Sequence, residues 1–357
     1  MRALVTASTH LRHYCRGMYD VAARERIHEL DAVRGFALCG ILVVNIWQIT
    51  DMTATVPSGA AMDPVRHVLS VVVEERFFPI FSFLFGLSFA MFLDGAAERT
   101  DRPRVVLARR LIALSVLGLV HQIFQPGEAL LPYAVVGLVI LLPASALPSW
   151  LVLVAGLVGT LGVALTLGGG LALVPGLFLL GLAAERFGLV DILRGHVWPI
   201  AAVFVLALPA AIATAVWQWR TPYLELWTSS IEPIAGLLGA IAYSTGLLLV
   251  LRTGFGEVVA EVLEPMGRMA LTNYMSATAL ILLAEGRLHL GGTTRYPALL
   301  GLAAAILLFQ AFVSYLWMSW LRYGPLEWVW RCVTWWRIVP IRKPEPEGIA
   351  SIGLPRR

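Results

Sequence analysis

Ten apolar runs dominate this chain and decide what it can fold into. They lie at about 32–50, 77–94, 105–124, 129–147, 149–168, 171–188, 197–217, 231–251, 268–285 and 297–321. A helix rises 1.5 Å per residue, so about 20 apolar residues cross about 30 Å of hydrocarbon. In that layer only helices and closed barrels satisfy every backbone polar group. The runs therefore predict an all-α integral membrane protein with about ten transmembrane helices. Composition agrees: mean hydropathy is +0.77 and only 14% of residues are charged, against about a quarter in soluble domains. A short amphipathic segment at about 64–76 leads into the second span. Pro126, Pro148, Pro199 and Pro297 mark breaks near helix ends. Kinks are expected at Pro79, Pro143 and Pro175.

The arginines set an orientation. With the N-terminus inside, one set of loops holds Arg99, Arg102, Arg104, Arg109, Arg110, Arg186, Arg194, Arg252 and Arg268, besides the basic N-terminal and C-terminal segments. The opposite loops hold only Arg66, Arg76, Arg220, Arg287 and Arg295. That asymmetry follows the positive-inside rule and predicts both ends in the cytoplasm, which an even number of spans permits. The chain divides into a cytoplasmic segment (1–30), an N-terminal transmembrane half (31–190), a C-terminal transmembrane module (191–335) and a cytoplasmic tail (336–357). Residues 1–30 lack the apolar stretch of a secretion signal. Residues 1–17, ahead of Met18, are expected to be disordered or an extension upstream of the native start. After Tyr323, tryptophans alternate with arginines, as in a segment lying at the headgroup level. Cys15, Cys39 and Cys332 are scattered and give neither a disulfide framework nor a metal-ligand spacing. No metal is expected, and no nucleic-acid motif is present.

Ionisable groups inside spans are costly, about 2.5–3.5 kcal/mol each at the bilayer centre on insertion scales. Asp31 and Arg34 are three residues apart and can pair on one helix face. Asn45 follows Arg34 by eleven residues, close to three turns, so the two share a face about 16 Å apart. Arg110 and His121 repeat that spacing in the third span. Both helices thus carry an arginine below an amide or imidazole, and these faces are expected to meet at a common cavity. Each residue also has a structural reading. Arg34 and Arg110 anchor the inner interface, Asn45 joins helices, His121 is a satisfied interfacial histidine, and Glu74, Glu75 and Arg76 form a wet helix start.

Five ordered segments carry a family likeness: LDAVRGFALCGILVVNI (30–46), RFFPIFSFLFGLSFAMF (76–92), Arg109-Arg110 followed by GLVHQIFQPGEALLPYAVVGL (118–138), GRMALTNY (267–274) and YGPLEWVWR (323–331). Together they resemble the YeiB-like bacterial membrane proteins, whose C-terminal module is domain of unknown function 418. That family is in turn similar to a wider superfamily of transmembrane acyltransferases that includes heparan-α-glucosaminide N-acetyltransferase. In that lysosomal enzyme an asparagine at the end of the first signature helix and a histidine in the following lumenal loop are assigned to catalysis. The asparagine matches Asn45. His67 lies in the corresponding loop, whereas His121 matches the histidine of the YeiB-like family itself. Glu128 stands where that family usually has Asp, Ala129 replaces an aliphatic Ile, and Ala277 occupies a place often held by Gln.

The resemblance implies a bacterial cytoplasmic-membrane enzyme. It would move an acyl or acetyl group from cytoplasmic acyl-CoA to an extracytoplasmic hydroxyl or amine, such as an envelope glycan or glycolipid. Arg34, Arg109, Arg110 and Arg268 would hold the phosphates of acyl-CoA. His121, or His67, would act as base, with Glu128 orienting the imidazole and Asn45 donating to the oxyanion. Glu75, Tyr133 and Asn273 are candidate substrate contacts. Membrane lipids are the surrounding partners, and a homodimer follows from fold-level analogy. The alternative is a transporter or exporter of a lipid or small metabolite, which intramembrane polar stripes also suit. No Walker A motif accompanies it.

Overall fold

The computed structural model describes residues 27–53, 55, 62–166, 168–226 and 229–343. The expectations for residues 1–17, for most of 1–30 and for most of the tail fall outside them. Among the described residues the chain is helical, and the extended contacts are two isolated bridges, Thr55 with Met62 and Leu321 with Arg342. In order the helices are α1 (His28–Ile49), α2 (Pro64–Val72), α3 (Phe77–Ala97), α4 (Pro103–His121), α5 (Leu130–Val136), α6 (Ser149–Thr166), α7 (Val174–Arg186), α8 (Leu189–Gly195), α9 (Trp198–Arg220), a single turn at Tyr223–Leu226, α10 (Ile231–Val250), α11 (Gly254–Arg268), α12 (Ala270–Leu288), α13 (Tyr296–Trp320) and α14 (Pro325–Trp335).

Each of the ten apolar runs is helical. Length and apolarity together qualify fewer of them as spans: six, counting Pro64–Ala97 across its break as one. A seventh is added if Gly170–Arg186 and Leu189–Gly195, bent by 62° from each other, count as one broken span. The shortfall has local causes. Helix α4 carries Arg104, Arg109 and Arg110, and the apolar helix Leu130–Ala144 is short. The molecule is a multi-pass helical membrane protein.

Prolines act mainly as helix starters. Pro79 and Pro175, where kinks were expected, sit in the first turns of α3 and α7, where the missing N–H costs no intrahelical bond. Pro143 follows a π-helical turn, Gly137–Leu141, that continues α5. The wider turn absorbs the break a proline makes in the hydrogen-bond ladder.

Helix α1 is the centre of the bundle. Over half of its span window is buried (56%), against 17% for Trp198–Arg220, which therefore lies at the lipid-facing periphery. Leu30, Val33, Ala37, Leu38, Leu42 and Ile46 bury α1 against α3, α11, α12 and α13. The α1–α11 crossing is close enough that a Cβ at Gly35 would meet the Leu263 carbonyl, and one at Gly267 the Asp31 carbonyl. Gly86 and Gly181 allow the same approach between α3 and α7. Small residues at crossings let backbones approach where hydrophobic burial gives helices no advantage over lipid. Helices α1 and α4, expected side by side, are not a packed pair. Helix α3 packs on both of them, and the space left between is the cavity described next.

Helix α11 was not expected. No long apolar run marks Gly254–Arg268, because Glu257, Glu261 and Glu264 interrupt it. Its local signals are an N-cap, where Thr253 Oγ1 accepts from Gly256 N–H at 3.2 Å, and one apolar face at helical spacing.

Candidate functional site

A cavity of about 520 Å³ runs among α1, α3, α4, α5, α11, α12 and α14. Its two ends differ in chemistry. One end is basic, lined by Arg34, Arg110, Arg268 and Arg331 together with Tyr323 and Trp330. The middle is apolar and aromatic, with Leu38, Phe81, Phe85, Leu111 and Leu114. The other end is formed by Asn45, Gln48, Glu74 and Glu75.

The helical period places Arg34 and Asn45 on one face of α1, about 16 Å apart along the axis. The Arg34 guanidinium donates to Asp31 Oδ1 at 2.7 Å and to Ser88 Oγ at 3.0 Å. Arg110 projects from α4 between two rings, 3.7 Å from the Trp330 centroid and 4.6 Å from Phe92. Trp330 is tied to the same residue, since its Nε1–H donates to the Arg110 carbonyl at 2.7 Å. No carboxylate among the described residues pairs with Arg110. Arg331 lies 4.4 Å over Tyr323, and the Arg268 Nη2 donates to the Arg322 carbonyl at 3.3 Å. Of the acids near this end, Asp31 is paired with Arg34 and Glu327 lines the cavity. The Glu327 carboxylate accepts from Leu271 N–H, Thr272 N–H and Thr272 Oγ1–H. Four guanidinium groups thus converge where neither acid faces Arg110. Such an arrangement favours a phosphate-bearing ligand.

At the opposite end, the Asn45 side chain is buried (6% exposed), yet its amide makes no hydrogen bond to a described residue and faces the cavity. A buried amide left without a partner among the described residues is poised for a ligand. Tyr133 also lines the wall, its hydroxyl 2.5 Å from Ser82 Oγ.

Other expected site residues lie elsewhere. His121 is buried behind Tyr274, its ring centroid 5.2 Å from that of the tyrosine, and does not line the cavity. Its Nε2 is 2.9 Å from Thr278 Oγ1, and Thr278 donates to Gln125 Oε1 at 2.8 Å. With the hydroxyl proton so used, Thr278 accepts from the imidazole. The imidazole thus faces Thr278 of α12. Glu128 stands 3.7 Å from His121 Nδ1, beyond hydrogen-bond distance. Its carboxylate caps α5, accepting from the Leu130 and Leu131 N–H groups. His67 stacks flat on Trp219, centroids 4.0 Å apart. Arg109 is exposed, with its guanidinium 5.6 Å over Trp336. Asn273 joins helices, donating to the Met266 carbonyl at 3.1 Å and Ser314 Oγ at 3.0 Å. Sequence reasoning missed Arg331 and Gln48. Arg331 falls within the YGPLEWVWR segment, but only the packing of α14 on α4 brings it to the arginines of the other helices.

The fold and cavity define a class: a polytopic helical membrane protein with an amphipathic internal site. Comparison with known proteins gives the family. The model described as "Protein of unknown function (DUF418)" matches residues 184–337. Over 343 residues the chain is 35% identical to the uncharacterized 39.9 kDa protein in the amylase 3' region of Bacillus acidopullulyticus, covering 91% of this chain and 98% of that one. It is also similar to the uncharacterized protein YxaH of Bacillus subtilis (25% identical, 89% of this chain and 96% of that one). The uncharacterized protein YeiB of Escherichia coli is 26% identical, over 87% of this chain and 96% of that one. The chain belongs to the YeiB-like family, marked by the DUF418 module.

Proposed function

We propose that the protein is an acyltransferase of the bacterial cytoplasmic membrane, passing an acyl group from acyl-CoA to a hydroxyl or amine of an envelope glycan or glycolipid. The observation that carries this reading is a cavity joining an arginine cluster to an asparagine amide that has no partner among the described residues. Arg34, Arg110, Arg268 and Arg331 hold the phosphates of acyl-CoA. The pantetheine arm lies along the apolar middle, and the thioester carbonyl reaches Asn45. The Asn45 amide N–H donates to the oxygen as it becomes an oxyanion, worth about 2.7–4 kcal/mol for one such donor. The arginine distribution sets the topology of the proposal: ten crossings, both ends in the cytoplasm and the basic end of the cavity facing acyl-CoA.

The rival reading is an exporter of an anionic lipid, which the apolar middle of the cavity also suits. Thermal unfolding of the purified protein in detergent separates the two. Acetyl-CoA at a hundred times its dissociation constant should add about 2.7 kcal/mol to stability, and Arg110→Ala should remove most of that gain. Stabilisation by anionic lipids but not by acetyl-CoA would overturn the acyltransferase reading in favour of transport.

A further inference from the structure

We propose that Glu75 is the proton acceptor of this transfer, held against the cavity by the buried Arg76; the inference rests on the acyl-transfer reading. Three features support it. Glu75 lines the same end of the cavity as Asn45. Its Oε2 accepts from Gly170 N–H at 2.8 Å, and no described residue donates to Oε1. Its backbone is left-handed, φ 59°, a region that residues other than glycine rarely occupy.

That unfavourable turn is held from behind. Arg76 is 2% exposed and donates to the Ser70 carbonyl at 3.0 Å, the Glu74 carbonyl at 2.7 Å and Gln218 Oε1 at 2.6 Å. Gly236 of α10 leaves room for the turn, since a Cβ there would meet the Glu75 carbonyl oxygen. The neighbouring acid is engaged, with Glu74 Oε1 accepting from Arg66 at 2.8 Å. Neither histidine competes: His121 is behind Tyr274, and His67 lies against Trp219.

In the proposed step the acceptor oxygen or nitrogen attacks the thioester carbonyl carbon while Glu75 takes its proton. The tetrahedral intermediate collapses, the C–S bond breaks with its electron pair going to sulfur, and Glu75 returns the proton to the thiolate. The products are the acylated acceptor and free CoA.

The test uses the full chain in vesicles of bacterial envelope lipid extract, with acetyl-CoA added and free thiol measured. Titratable and charged groups facing Glu75 are Glu74 and Arg76 beside it, Tyr133 of α5 and Glu232 of α10, so the rate is followed against pH. The wild-type rate should rise with pH as Glu75 loses its proton, then level. Glu75→Gln should keep acetyl-CoA affinity within twofold, lose the pH-dependent limb and fall in rate by about a hundred-fold or more. Glu75→Asp should recover part of the rate. A Glu75→Gln variant with normal rate and pH profile overturns the inference and leaves the acyl-transfer reading standing. Wild-type protein that fails to bind acetyl-CoA, or binds it and releases no thiol above vesicles alone, overturns both.

Discussion

At the residue scale, the basic end is held together by contacts that no single helix supplies. Trp330 of α14 stacks on Arg110 of α4 while bonding its carbonyl. Four residues N-terminal to Arg331, Glu327 receives the first N–H groups of α12, which have no intrahelical partner. Burial pushes the Glu327 carboxyl above the usual carboxylate range, although its hydrogen bonds oppose the shift. Glu327→Ala should lower stability by about 0.5–2 kcal/mol, as loss of a capping side chain does, measured by thermal unfolding in detergent. Unchanged unfolding would remove Glu327 as a cap. Some of this site was legible in advance. Arg34 and Asn45 share a face because eleven residues nearly complete three turns, and both line the cavity. The identical spacing from Arg110 to His121 misled, since only Arg110 lines the cavity. Periodicity fixes the face a side chain leaves from, and the neighbouring helix decides what it meets. Thr278 lies 157 residues from His121, and nothing local announces it.

At the element scale, apolar run length located helices well because hydrocarbon demands continuous helical hydrogen bonding. It could not find α11, whose glutamates interrupt the run, nor say that α11 lies against α1. The pairing depends on Gly35 and Gly267, where the two backbones meet. Gly267→Leu should force the helices apart and lower stability by about 1–3 kcal/mol, the usual range for an overpacked contact. Gly286, at which a Cβ would meet nothing within 4 Å, is the control: Gly286→Leu should leave stability nearly unchanged. Equal unfolding of both variants would mean that the α1–α11 crossing is not tight.

At the scale of the whole molecule, the bundle leaves one end of its cavity cationic and the other rich in amide and carboxylate groups. Neither end is the work of a single segment: α1, α4, α14 and the end of α11 give the first, and α1 with the turn between α2 and α3 gives the second. The order of the sequence signatures foretold the family, but the joining of these segments around one space depends on tertiary packing. A structure with CoA bound tests the acyl-CoA site most directly. Density for its phosphates should lie against Arg34, Arg110 and Arg331, with the thiol end directed toward Asn45. Density on the outer surface of the bundle, with the cavity holding lipid instead, would contradict it.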